Sequence, residues 1–226
     1  MAIAFDAVST TNTFGASAAA KTVSLTIGSG SNRMVIALIG IDNNGGFSPT
    51  PTFNGQTMTL AGTANNGILY VYIYYILEAN LPAAGSYILS IDPVTAGSGG
   101  IWCVSLSGVA QQAPEATGTG NNAGSVASWS NSVTTLTANA MAVDISMSYD
   151  RTFTPSAGQT ERADFKDSTA YGMCGSTKPI AAVGASSLGW TPDVSAPYAQ
   201  FIAAFAEYVA PTSNPNPVAV SPYMMV

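Results

Sequence analysis

Residues 68–77, ILYVYIYYIL, form an unbroken run of apolar and aromatic positions, the strongest pattern in the chain. Ten residues dominated by β-branched and tyrosyl side chains favour an extended strand, roughly 33 Å long at about 3.3 Å per residue. Alternation then sends Leu69, Val71, Ile73, Tyr75 and Leu77 to one side, and Ile68, Tyr70, Tyr72, Tyr74 and Ile76 to the other. Neither side suits open water, so this strand is expected at the centre of the molecule with both faces covered. The tyrosines have two readings: buried rings whose hydroxyls reach a sheet edge, or a platform for sugar or another protein.

The same logic predicts strands on either side. Residues 2–8 open the chain as a strand, and 12–20 read as a small polar loop. Residues 22–27 alternate with Val23, Leu25 and Ile27 inward, while 33–41, RMVIALIGI, are apolar on both faces. Asn54-Gly55 between short β-prone runs signals a hairpin with a type I′ turn. Residues 86–91 and 101–109 continue the series, the latter with Trp102, Val104 and Leu106 on one face. Residues 111–124, rich in Gly, Ala, Thr and Asn, read as the longest featureless loop. Short strands are expected within 126–136. Residues 141–149 alternate most cleanly: Met141, Val143, Ile145, Met147 and Tyr149 inward, with Ala142, Asp144, Ser146 and Ser148 on a solvated face. Residues 160–165 and 170–177 form an antiparallel pair, and 185–190 another strand. Residues 199–209 fit both a helical stripe and a period of two, and the β character of everything before them favours a strand.

Short strands with frequent turn signals and no clear helix predict an all-β, antiparallel β-sandwich of jelly-roll type over residues 1–209. No repeat of 20–50 residues is visible, which argues against a propeller or solenoid. Residues 210–226 change character. Pro211, Pro215, Pro217 and Pro222 exclude a helix and favour an extended, polyproline-like arm. Its last residues, Tyr223, Met224, Met225 and Val226, are ones a free tail would expose. An arm that docks on another subunit accounts for them, which makes Pro215, Pro217, Pro222, Tyr223, Met224 and Met225 the candidate partner contacts.

Composition narrows the chemistry. Only 8% of the 226 residues are charged, so Ser, Thr, Asn, Gln, Gly and Ala must build the surface. The net charge of −6, with six scattered basic residues, argues against nucleic-acid binding. No run approaches the ~20 apolar residues of a membrane helix, and residues 1–10 do not resemble a signal peptide, so synthesis in the cytoplasm is expected. There is no histidine, which removes Ser-His-Asp and Cys-His machinery and the usual zinc sites. Neither Cys103 nor Cys174 sits in a CxxC pair, and both read as buried free thiols, although spacing leaves a disulfide open. Phosphate-binding glycine loops are absent. No cofactor, metal or catalytic residue is therefore assigned.

One segment concentrates charge: Asp144, Asp150, Arg151, Glu161, Arg162, Asp164, Lys166 and Asp167. It could be a calcium site or a glycosidase carboxylate pair, but the interleaved Arg and Lys favour a solvated hairpin laced with ion pairs. Trp102, Trp129 and Trp190 are candidate sugar stackers, with core or interface positions the commoner fate of such rings.

Three stretches carry a family resemblance. They are Phe5-Asp6 followed by Gly30-Ser31-Asn32-Arg33, then Thr52-Phe53-Asn54-Gly55-Gln56 with Met58-Thr59-Leu60, and finally Ser105-Leu106-Ser107-Gly108-Val109-Ala110-Gln111. Together they resemble jelly-roll (concanavalin- or LamG-like) domains of tailed-phage virion proteins and bacterial surface proteins, over residues 2–209. The resemblance implies a non-enzymatic virion component that decorates the capsid or sits on the tail. Its implied partners are the major capsid protein, other virion subunits and further copies of itself. A lectin-like module that binds a glycan is the alternative. The resemblance transfers no active-site residue.

Overall fold

The structure, a computed structural model, describes residues 2–16, 19–42, 48–92, 94, 97–167 and 170–211. The arm residues Pro215, Pro217, Pro222, Tyr223, Met224 and Met225 lie outside the described residues, as do positions 43–47 of the expected turn after Asp42.

The first half of the chain holds ten strands. They are β1 (Ala4–Val8), β2 (Asn12–Phe14), β3 (Lys21–Ile27), β4 (Met34–Asp42) and β5 (Thr52–Phe53), then β6 (Gln56–Thr57), β7 (Thr59–Asn65), β8 (Leu69–Leu77), β9 (Gly85–Ile91) and β10 (Gly99–Ser107). The second half holds β11 (Ala116–Val126), β12 (Trp129–Thr135), β13 (Ala140–Tyr149) and β14 (Phe153–Pro155), then β15 (Thr160–Lys166), β16 (Tyr171–Ile180), β17 (Gly184–Pro192) and β18 (Ala196–Phe205). Every strand pairing is antiparallel, and the helical content of the described residues is a single 3₁₀ turn at Glu78–Asn80. The chain is an all-β stack of antiparallel sheets.

Four sheets lie in layers. An outer sheet β3-β9-β5-β6 covers the inner sheet β1-β10-β4-β8-β7, and a second inner sheet β11-β18-β13-β16-β15 is covered by the outer sheet β12-β17-β14. A core of Val23, Leu25, Phe53, Leu89, Ile39 and Tyr72 fills the first gap. Met34, Ile36, Trp102, Val143, Ile145 and Phe201 fill the gap between the two inner sheets. Two smaller clusters, around Val133 with Leu188 and around Trp129 with Trp190, fill the third.

The central strand behaves as its pattern requires. Leu69, Val71, Ile73 and Tyr75 of β8 enter the core between the inner sheets, while Tyr72, Tyr74 and Ile76 enter the core beneath the first outer sheet. Tyr72, Tyr74 and Tyr75 are therefore buried rings and Tyr70 is half-buried, and the Tyr74 hydroxyl donates to the Pro49 carbonyl at 2.6 Å. The Asn54-Gly55 hairpin also forms, with Phe53 paired to Gln56 and φ of 50° and 76° at the two turn residues. Residues 196–205 form a strand, buried along its whole length between β11 and β13.

Several expectations fail: Asn12–Phe14 of the supposed loop 12–20 pairs with β10 as β2, and Tyr149, expected inward, is exposed. The supposed loop 111–124 contains most of β11, which pairs with β18 from Ala116↔Ala204 onward. Its glycines leave no apolar alternation to read, yet they allow close approach: a Cβ on Gly120 would collide with the Asn131 side chain. The supposed solvated face of β13 is buried, since Ala142, Asp144, Ser146 and Ser148 are all 0% exposed beneath the second outer sheet. Polar side chains there meet polar partners instead of water.

The two halves share one topology. Number the eight principal strands of each half in chain order, leaving aside β2 and β6. Both inner sheets then run 1-8-3-6-5 and both outer sheets run 2-7-4. Local details repeat as well. Asn32 and Asn139 have φ of 54° and 58°, each two residues before a methionine, Met34 or Met141, that begins the pairing of strand 3 with strand 8. Asparagine tolerates this left-handed conformation better than most residues. On strand 2, Thr22, Ser24 and Thr26 correspond to Ser130, Ser132 and Thr134 when the pairs Ile27↔Gly85 and Thr135↔Gly184 are aligned. A repeat of about half the chain lies beyond the 20–50-residue window that sequence periodicity tests.

Candidate interaction surfaces and the buried polar cluster

The charged segment does not converge on a site. Asp150 pairs with Lys166 at 3.2 Å on the surface. Arg151 donates to the carbonyls of Asp150 and Val194 at 2.6 and 3.2 Å. Asp164 accepts the Phe153 N–H at 3.0 Å, and Asp167 accepts those of Ala170 and Tyr171 at 2.8 and 2.9 Å. Arg162 lies 3.4 Å from the centroid of the Phe5 ring, a cation–π contact that joins the second half to the first. Among the described residues no group of three or more Cys, Asp or Glu is placed to hold a metal ion.

Asp144 stands apart. It is fully buried on β13 between the second inner and outer sheets, and among the described residues its hydrogen-bond partners are all neutral. Its Oδ1 accepts the Ser176 backbone N–H at 2.9 Å and the Ser176 hydroxyl at 2.5 Å. Its Oδ2 accepts the Trp190 indole N–H and the Gln200 amide N–H, each at 2.7 Å. Burial pushes the carboxyl pKa up, and these four donors pull against the shift without cancelling it. Gln200 in turn accepts from Asn131 at 2.5 Å, and Trp129 donates to Ser146 at 3.2 Å. The cluster ties β12, β13, β16, β17 and β18 together, and its geometry is that of a structural crosslink with every carboxylate oxygen in use.

The aromatic candidates are interior. Trp102 and Trp190 are 0% exposed and Trp129 is 5% exposed, with the Trp129 ring stacked on Tyr198 at 4.5 Å. None presents a face for a sugar. Cys103 and Cys174 are free and buried on different inner sheets, and burial pushes the Cys103 thiol pKa up to about 12.

Two kinds of surface remain. The first is the pair of outer faces. Thr22, Ser24 and Thr26 project from one, and Ser130, Ser132 and Thr134 from the other, all exposed. Neighbouring hydroxyls bond across the strands, Thr26 with Ser86 at 2.5 Å and Ser132 with Ser187 at 2.9 Å. These faces are hydroxyl-rich and uncharged at those positions. The second is a small apolar groove of about 230 Å³ at one end of the stack, lined by Ile3, Met141, Pro179, Ile180 and their neighbours. At that size it lies below the range of small-molecule sites, roughly 300–1,000 Å³, and suits one or two protruding side chains.

Comparison of the chain with protein-family models, with curated proteins and with solved structures finds no match. The function must be argued from these surfaces.

Proposed function

We propose that the chain is a structural protein of a virion that works through protein–protein contacts, most simply by decorating or reinforcing the capsid. The observation that carries this reading is the character of the two outer faces. Exposed Thr22, Ser24 and Thr26, with Ser130, Ser132 and Thr134 on the opposite side, offer hydroxyls and no charge. A neighbouring subunit can cover such a face without stripping ions of water, and the hydroxyls can hydrogen-bond across the interface. The low overall charge of 8% has the same consequence for the rest of the surface.

The strand order supports a finer assignment. A 1-8-3-6 sheet facing a 2-7-4 sheet is the order of a jelly roll, so each half reads as one such unit, stacked inner sheet to inner sheet. In the first half, β6 belongs to the outer sheet and β7, strand 5, to the inner one, so the chain crosses between sheets at Met58 just before strand 5. The glycan-binding alternative is weakened, because Trp102, Trp129, Trp190 and the tyrosines Tyr72, Tyr74 and Tyr75 are buried.

Residues 210–226 serve in this reading as the tether to neighbouring subunits. Deleting them is expected to leave a folded chain that no longer joins the particle. Undiminished incorporation of the truncated chain, measured by mass spectrometry of purified particles, would remove the tether. Absence of the full-length chain from particles would remove the virion assignment.

A further inference from the structure

The apolar groove lies close to the point where the described chain ends. Asn139 lines it, and the Asn139 amide donates to the Glu207 carboxylate at 2.9 Å, four residues before Pro211. Met141, also in the lining, pairs directly with Phe205 on the neighbouring strand. The lining carries no charged side chain, and beside it Leu136 and Val183 are 68% and 61% exposed. The hydrogen bonds Asn139 N–H to Ala181 and Thr135 hydroxyl to Ala182 hold these two loops side by side. The result is a small apolar hole at the end of the stack, flanked by the Glu207 carboxylate on Asn139 and the Glu115 carboxylate on Thr137.

The sequence beyond residue 211 supplies a matching occupant. Residues 212–226, TSNPNPVAVSPYMMV, contain no charged residue and end in Tyr223-Met224-Met225-Val226. Unbranched methionine side chains adapt to small irregular apolar holes. Prolines at 211, 215, 217 and 222 favour a stiff extended run of about 3.1 Å per residue, which carries position 223 roughly 35 Å from the root. A run of that length, if stiff, overshoots a groove beside its own root and can reach the groove of another copy. We infer that the groove between Ile3, Met141 and Ile180 receives the Tyr223–Met225 segment of a neighbouring copy of this chain.

This inference rests on the reading of residues 210–226 as a tether and adds the receiving site and the partner. Each contact joins two different surfaces, the arm of one copy and the groove of another, so copies can exchange arms reciprocally as a closed dimer or link head to tail into rings.

The test uses the full chain and a labelled synthetic peptide of residues 217–226. In one variant Met224→Ser and Met225→Ser disable the arm; in a second, Ala181→Arg adds bulk and charge at the exposed rim of the groove. The native chain is expected to self-associate with rising concentration in sedimentation velocity, and both variants to remain monomeric with native circular dichroism. Mixing the two variants cannot rebuild a chain longer than a heterodimer, but each pair retains one intact arm and one intact groove and should form that dimer. The peptide should bind the arm-disabled variant saturably, and Ala181→Arg introduced into that variant should weaken binding by about tenfold or more. A scrambled peptide should not bind. Equal peptide binding with and without Ala181→Arg overturns the assignment. A native chain that is monomeric at every concentration, but whose groove opens to peptide only when Met224 and Met225 are replaced, also overturns it by showing an arm docked on its own chain. Particle incorporation is read separately, so a chain that joins particles without peptide binding refutes the groove alone. A chain that links through the groove yet is missing from particles refutes the virion role alone.

Discussion

The indole of Trp102 on one inner sheet sits against Gly175 on the other, so close that a Cβ on Gly175 would lie 2.6 Å from the ring. The relation is reciprocal between the sheets. Gly62 and Gly100 of the first inner sheet seat the rings of Phe201 and Phe165 from the second, and Gly40 seats Met173, whose sulfur would lie 2.9 Å from an added Cβ. Trp102 and Phe165 complete the contact edge to face at 5.3 Å. Large side chains of each sheet thus fill the space that glycines leave on the other, which is how two twisted sheets reach interior packing density.

Gly175→Ala and Gly62→Ala are expected to destabilise the chain by roughly 1–3 kcal/mol each, because the added methyl meets an aromatic ring that cannot yield without moving a sheet. Urea denaturation gives the number. Midpoints unchanged from the native chain would mean that the inner sheets are not packed this closely.

Asp144 predicts a pH dependence. Its folded-state pKa is raised above the usual aspartate value, so the folded chain binds this proton more tightly than the unfolded one. The stabilisation this gives is full below the unfolded pKa of about 3.9, and it is lost as pH rises through the folded value. Subtracting the stability of Asp144→Asn, which does not titrate, from that of the native chain should therefore give a difference that falls as pH rises from about 4. A constant offset of about 1–3 kcal/mol is expected besides, since an asparagine N–H would face other donors. Parallel stability profiles for the two proteins would contradict the burial of this carboxyl. Asp144→Ala leaves the donors of Ser176, Trp190 and Gln200 unsatisfied, and a larger loss of about 3–5 kcal/mol is expected.

The repeated topology predicts how the chain behaves when cut. Opening it at the exposed Gln112–Ala113 peptide separates the two halves. Each then exposes its side of the core that holds Met34, Trp102, Val143 and Phe201. Co-expressed fragments should copurify in equal amounts, while either one alone should aggregate or self-pair. A fragment that stays a soluble monomer with native spectroscopic signals would show that this interface is dispensable.

Cys103 and Cys174 should resist thiol reagents in the folded chain, both being fully buried and pushed above the usual thiol pKa. Titration with a chromogenic disulfide should report no reactive thiol before unfolding and two after it. Rapid modification of the native chain would place one of them at the surface.

The strands were legible where side chains alternate or run apolar, because a half-buried or doubly buried strand must show one of those patterns. This covers Leu69–Leu77, Met34–Asp42 and Lys21–Ile27, and the Asn54-Gly55 turn announced itself through its two left-handed positions. Ala116–Val126 was illegible because its pairing with Ala196–Phe205 uses backbone groups alone, and its Gly, Asn and Thr side chains carry no period. The groove and the hydroxyl-bearing outer faces could not be placed, since both depend on which strands become neighbours.

Residue order by itself determined that this chain forms antiparallel strands, that its core is drawn from both faces of Leu69–Leu77, and that histidine-dependent chemistry is closed to it. Only tertiary structure decided that Asp144, Ser146 and Ser148 face inward, that two halves repeat one strand order, and that four layers form. The physical reason lies in what each property depends on. Alternation is local and records whether a position meets apolar matter, whereas a polar side chain on a strand looks the same in sequence whether water or a buried indole and amide complete its hydrogen bonds.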